Sequence, residues 1–479
     1  MAGLEVNRGP PASCRHISGP RLELRALPAP ARLARGGRGA LRRLCCAAND
    51  GEVITKQQVL DKARQQFKRA TSLTRPDAAI ELARTCLTIA LEEEAAAQVF
   101  AEEQRAKQAE IIAVGVGLEL GSASTWSLER LDLLAAEVRQ VFEEQLAAVA
   151  LEGEEGLAAR LEALDPADRV DLSRVLALKP KPQRPAGAPP LPEGAEGGGA
   201  GALRVERFPA LMVNAINEVL YTRHGFRRSQ RHGEPRESHI TALLEDGEGS
   251  PVAMGILYTE VCRRVGLPVA GMPIEDPMGQ YYVLWPTKFP LKVGGLEYVV
   301  DPYGNGDLLQ KSEVCEVFDI TPGAIKPASN RRILSAVLSY MRDAYWARAV
   351  GCSPEPALME PLDLASVSEL EWDMEWDEGS FNLSRALACA ERRLHLLPGD
   401  QQAQLQYALL HYAAGDFETA WQELGIYEER GAGADVCDEH IPFLMERLRM
   451  YLEFGVKQRP DGESTFPGLQ ITDHDDNSS

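Results

Sequence analysis

The stretch from Pro251 to Val300 constrains the fold most. Ala253, Ile256, Leu257, Val261 and Val265 recur at helical spacing, Pro251 suits a first turn, and Gly266 and Pro268 end the helix. Strand-like runs follow at once over 269–274, 281–285 and 298–300. Strands that succeed one another without a crossover helix pair antiparallel. The middle of the chain is therefore expected to be α+β, a helix on a small antiparallel sheet. Asp301-Pro302-Tyr303-Gly304 reads as a turn.

Both flanks read as all-α. Thr74-Arg75-Pro76-Asp77 has the composition of a helix start, with Ile80, Ala83, Leu87 and Ala90 spaced behind it. A second helical pattern runs through Leu128, Leu131, Leu134, Val138, Val141 and Phe142. Residues 209–222 predict one helix closed by a Gly225-Phe226 turn, and 331–349 predict another. From about 381 to 455 the pattern is helical hairpins, with Ala386, Leu394, Ala408, Gly415, Phe417 and Ala420 in the small-residue and Gly-x-aromatic order of tetratricopeptide helices. Residues 180–201 are too rich in Pro and Gly to form a core. The expected division is 1–48 transit peptide, 49–178 helical lead-in, 179–202 linker or insert, 203–350 core, 351–380 acidic linker, 381–456 tetratricopeptide-like helices and 457–479 disordered tail.

Charge excludes one class of partner. Residues 1–48 hold nine arginines and two acids, so a chain of net charge -20 leaves -27 on the remainder. Such a body repels phosphate backbones, and nucleic-acid binding is not expected. The leading segment has transit-peptide composition, ends Leu44-Cys45-Cys46-Ala47-Ala48, and predicts import into a plastid, with the mitochondrion as the alternative. No apolar run is long enough to span a membrane. The nine cysteines form no CxxC pair, so neither zinc nor any other metal or cofactor is expected, and buried reduced thiols are.

Asn217 to Phe226, Gly249-Ser250-Pro251-Val252-Ala253-Met254, Arg263-Arg264-Val265-Gly266-Leu267-Pro268, Val300-Asp301-Pro302-Tyr303 and Pro327 to Arg331 together resemble the SirB-type transglutaminase-like family. That resemblance implies a degenerate papain/transglutaminase-like core, a helical lead-in and a trailing tetratricopeptide segment, over about residues 75–430. In active relatives a Cys at the start of the central helix is deprotonated by a His on the next strands, and an Asp orients the His. Here the resemblance puts Ser250 at the Cys position, Gln280 at the His position and Asp301 at the Asp position. No histidine lies between residues 240 and 394. Ser250 is expected to cap the helix, Asp301 to bond its own turn, and Cys262, three turns on, to be packing.

A cleft lined by Tyr281, Tyr282 and Trp285 is the expected gripping surface. Arg227-Arg228, Arg231-His232 and Arg236 read as a solvated basic loop that could take a phosphate or an acidic partner. The functional expectation is a non-enzymatic interaction or scaffold protein with a protein or peptide partner. Its rival is a hydrolase or transferase acting on amide bonds through a rebuilt, non-cysteine site.

Overall fold

The structure, a computed structural model, describes residues 55–107, 122–151, 209–230, 233–276, 279–288, 291–293, 296–350, 376–430 and 441–454. The expected transit peptide, the linker at 179–202, the tail and most of the acidic linker lie outside these residues, as do Arg231 and His232.

The lead-in is three helices: α1 (Lys56–Ala70), α2 (Leu82–Lys107) and α3 (Ser122–Leu151). Thr55 starts α1 with a reciprocal box: its hydroxyl accepts from the Gln58 N–H at 3.2 Å, and its own N–H donates to Gln58 Oε1 at 2.8 Å. The α3 pattern is as expected, with Leu131, Leu134, Val138, Val141 and Phe142 all buried. The helix start expected at residues 74–77 is instead a short 3-10 turn, Asp77–Ala79. Asp77 is engaged elsewhere. Its two carboxylate oxygens accept from the N–H groups of Asn330 (2.8 Å) and Arg331 (3.0 Å), the first residues of α8 (Asn330–Val350). The acid caps a helix more than 250 residues away.

The core domain begins with α4 (Pro209–Asn217), which runs on as a π-helical turn, Glu218–Arg223, rather than as one regular helix to 222. Gly225, at φ +69°, ends it. Strand β1 (Arg227–Arg228) pairs in parallel with β2 (Glu248–Gly249), with α5 (Ile240–Asp246) between them. The central helix α6 (Pro251–Val265) is almost wholly buried and ends at Gly266, φ +86°.

Strands β3 (Val269–Asp276), β4 (Gly279–Pro286), β5 (Lys292–Val293), β6 (Leu296–Asp301) and β7 (Asp307–Gln310) form an antiparallel sheet in the order β3-β4-β6-β5, with β7 also on β6. One sheet face packs on α6 through Tyr282, Leu284 and Val300. The other packs through Ile274, Val283 and Val299 on Val314 and Cys315 of α7 (Lys311–Val317).

Beyond α8 lie α9 (Trp376–Leu396), α10 (Gln401–Ala413), α11 (Phe417–Glu429) and α12 (Ile441–Phe454). The helix α9 starts inside the segment expected to be an acidic linker. Its residues Ala386, Cys389, Ala390 and Leu396 join the main core, whereas Leu405, Ala408, Ala420, Leu424 and Leu448 of the last three helices form a separate one. Cys86, Cys262, Cys315 and Cys389 are free and buried. Among the described residues no helix is long and apolar enough to cross a membrane.

Candidate functional site

The N-terminus of α6 and the end of β6 hold the residues marked by the sequence. Ser250 is the N-cap of α6: its hydroxyl accepts from the Ala253 N–H at 3.3 Å, and its own N–H donates to the Glu237 carbonyl at 2.9 Å. The hydroxyl also shares a hydrogen with Ser238 Oγ, 3.2 Å away. With 1% of its surface exposed, Ser250 presents nothing to solvent.

Glu237, beside this cap, is buried on a 3-10 turn (Pro235–Ser238). Its carboxylate accepts from Ser229 Oγ at 2.6 Å and from the Tyr340 hydroxyl of α8 at 2.7 Å. Burial, then the bond to Glu237, pushes the Tyr340 phenol up.

Asp301 closes β6. Its Oδ1 accepts from the Tyr303 N–H at 2.9 Å, and its Oδ2 accepts from the Tyr281 hydroxyl. Its carbonyl accepts from Gly304 (3.2 Å) and Gly306 (2.8 Å). The turn is fixed from outside by Tyr221 Oη donating to the Pro302 carbonyl (2.6 Å), by Asn217 Nδ2 donating to the Gly306 carbonyl (2.9 Å), and by Arg228 Nε donating to the Tyr303 carbonyl (2.7 Å). The π-helical turn supplies Tyr221, while the Arg228 guanidinium lies 5.0 Å from the centre of the Tyr303 ring. Burial pushes the Asp301 carboxyl up, and this outweighs the opposing pull of Tyr281, the turn amides and Arg228. Burial and Asp301 push Tyr281 up in turn.

Gln280, on β4, donates from Nε2 to the Ala336 carbonyl of α8 at 3.1 Å. Among the described residues no hydrogen bond or ion pair joins Ser250, Gln280 and Asp301 to one another. Nor does any described histidine hydrogen-bond to Ser250 or Cys262. His224 bonds Glu137 at 2.7 Å and Arg130 at 2.9 Å. His239 is buried with both ring nitrogens unpartnered, and burial lowers its pKa to about 4. His395 and His411 lie on α9 and α10. Cys262 is fully buried, and burial pushes its thiol far up, the opposite of an activated nucleophile.

The expected cleft of Tyr281, Tyr282 and Trp285 does not form. Successive side chains on a strand point to opposite faces. Tyr282 is fully buried against α6, whereas Tyr281 and Trp285 belong to the α7 side of the sheet, with the Tyr281 ring 5.0 Å from that of Phe318. The described arginines of the basic stretch are exposed, as expected of a solvated segment, but each has a partner: Arg227 pairs with Glu248, Arg228 serves the Asp301 turn, and Arg236 pairs with Glu245 (3.2 Å) and Asp246 (3.0 Å). Glu237, Ser238 and Tyr340 were not legible in the sequence, because their partners are up to 103 residues away.

Residues 126–339 match the model of the transglutaminase-like superfamily. The chain thus carries a transglutaminase-like domain that takes in α3, α6, the sheet and half of α8, and leaves α9 to α12 outside it. Two curated relatives, UPF0162 proteins of Xylella fastidiosa strains 9a5c and Temecula1, are each 28% identical over 162 residues, 30% of this chain and 54% of theirs. The chain spans about half the length of the curated relatives it matches. No solved structure matches. Among the described residues no group of three or more His, Cys, Asp or Glu side chains is arranged to hold a metal ion.

Proposed function

We propose that this chain is a non-catalytic interaction protein, a SirB-type transglutaminase-like core with a tetratricopeptide-like C-terminal segment, that grips a protein or peptide partner. One observation carries the reading: the hydroxyl at the start of the central helix is buried, caps that helix and, among the described residues, is hydrogen-bonded to no imidazole. A nucleophile without a base and an accessible face transfers no acyl group. With Gln280 bonded to a helix carbonyl and Asp301 bonded into its own turn, the other two positions are structural as well.

A second reading rests on the Asp301–Tyr281 pair, a buried carboxyl with a raised pKa against a phenol, which is the kind of perturbed pair found where a carboxylate does acid–base work. In that reading the domain is an amide hydrolase or transferase with a rebuilt site. The two are separated by incubating the full chain with glutamine-containing peptides, an amine acceptor and an activated acyl probe. The expected result is no turnover. Turnover abolished by Cys262→Ser would overturn the non-catalytic reading, and turnover abolished by Asp301→Asn but not by cysteine substitutions would establish the carboxylate one.

The arginine-rich first 48 residues support import into a plastid and removal near Asn49. Amino-terminal sequencing of the protein from its own cells should begin close to Asn49. A chain that still starts at Met1 or Ala2 refutes import with cleavage.

A further inference from the structure

Outside the transglutaminase-like domain, α1 packs beside α9 and α10 around a cavity of about 470 Å³. That volume is in the range of a small-molecule site. Its charged lining runs against the chain as a whole. In a protein of net charge -20, the cavity is lined by Arg64, Lys68 and Arg392 against the single carboxylate of Glu391. Arg392 is buried and, with Arg64 (Nε to Oε1, 3.1 Å), is held by Glu92 from behind. These two guanidinium groups are therefore fixed in place. Lys68 differs: its contact with Glu391 is 3.4 Å long, with both side chains more than half exposed, and such a pair holds its ammonium weakly.

Aromatic residues complete the lining. Tyr407 and His411 of α10 meet edge to face, ring centres 4.6 Å apart. His411 Nδ1 lies 3.1 Å from the Asp416 carboxylate, and its Nε2 has no partner among the described residues. Phe67 and Leu387 add apolar surface. Cationic and aromatic groups side by side, with the Arg392 guanidinium 5.7 Å from the centre of the Phe67 ring, suit a ligand with one anionic head and a flat or apolar body.

We infer that the cavity between α1 and the α9–α10 hairpin binds a small organic anion, a carboxylate or a phosphate monoester, with its head at Lys68 and its body against Tyr407. The site is independent of the reading of the domain core.

Calorimetric titration of the full chain with phenyl phosphate, with benzoate and with inorganic phosphate tests it. Saturable one-to-one binding of phenyl phosphate or benzoate is expected, and the tighter of the two identifies the head group. Inorganic phosphate, lacking the body, should bind at least about tenfold more weakly. Lys68→Glu should weaken binding at least about tenfold by inverting the charge at the head group. Lys62→Glu, at an exposed lysine of the same helix outside the cavity, should leave it unchanged. Absence of saturable binding to either organic anion, or equal affinity in wild type, Lys68→Glu and Lys62→Glu, overturns the inference.

Discussion

Two glycines show how closely the central helix and the sheet are fitted at the residue scale. The Tyr282 ring lies where a Cβ at Gly255 of α6, or at Gly271 of β3, would have to sit. Gly255→Ala therefore overpacks a fully buried contact, and a loss of about 1–3 kcal/mol is expected from chemical denaturation. Combining it with Tyr282→Leu should return part of that loss; a double variant no better than the sum of the singles would show that the ring is not what the glycine accommodates. His239 gives a pH prediction. Burial holds its folded pKa near 4, with Glu93 opposing and Arg236 and Arg385 reinforcing the drop. The unfolded histidine titrates near about 6.5, so as pH falls the unfolded chain takes the proton first and stability declines between about pH 6.5 and pH 4. Measured at pH 7 and pH 4.5, the wild type should lose about 2 kcal/mol more than His239→Phe. Identical losses in the two proteins would refute the assignment.

At the scale of elements, the sequence exposed what is local and hid what is not. The α6 helix, its Ser250 cap and its glycine stop were legible because cap, Pro and Gly all lie within the helix or one residue from it. Strands β3, β4 and β6 were legible from their β-rich composition, while β5 and β7, two and four residues long, are too short to show alternation. Aromaticity alone does not reveal the cleft's absence: strand parity puts Tyr282 on the α6 face of β4 and Tyr281 and Trp285 on the α7 face. The helix start at 74–77 failed for a different reason: its acid caps a helix far along the chain. Asp77→Ala should therefore destabilise the start of α8, not of α2, at a cost of about 0.5–2 kcal/mol. Hydrogen exchange would show it: faster exchange at the Asn330 and Arg331 amides is expected, and acceleration confined to 80–85 would contradict it.

At the scale of the whole molecule, a buried ionic cluster adds to the apolar contacts that join α9 to the rest. Glu93 of α2 pairs with Arg385 of α9 in a nearly dry setting, 2% and 4% exposed at the side chains, and also accepts from the Tyr345 hydroxyl of α8 at 2.8 Å. Burial pushes the Glu93 carboxyl up, but Arg385 and Tyr345 outweigh it and hold it below the usual range. Arg392, four residues before Leu396 at the end of α9, reaches Glu92 on the same helix as Glu93. Such pairs add little net stability compared with apolar residues, but removing one partner strands the other in a low dielectric. Glu93→Gln should cost about 3–5 kcal/mol, whereas Lys56→Ala, which removes a pair with half-exposed Glu102, should cost less than about 1 kcal/mol. The same geometry predicts how the chain unfolds. Since α9 gives its apolar face to the main core and its arginines to α2, residues 376–454 cut from the rest lose both, and only the smaller cluster of α10 to α12 remains. Circular dichroism of that fragment should show a weak, non-cooperative melt, and the full chain should lose α2, α8 and α9 together in one transition. A fragment that melts cooperatively with full helicity would mean that the last four helices form a unit of their own, and the ionic cluster would then be only a surface on which that unit rests.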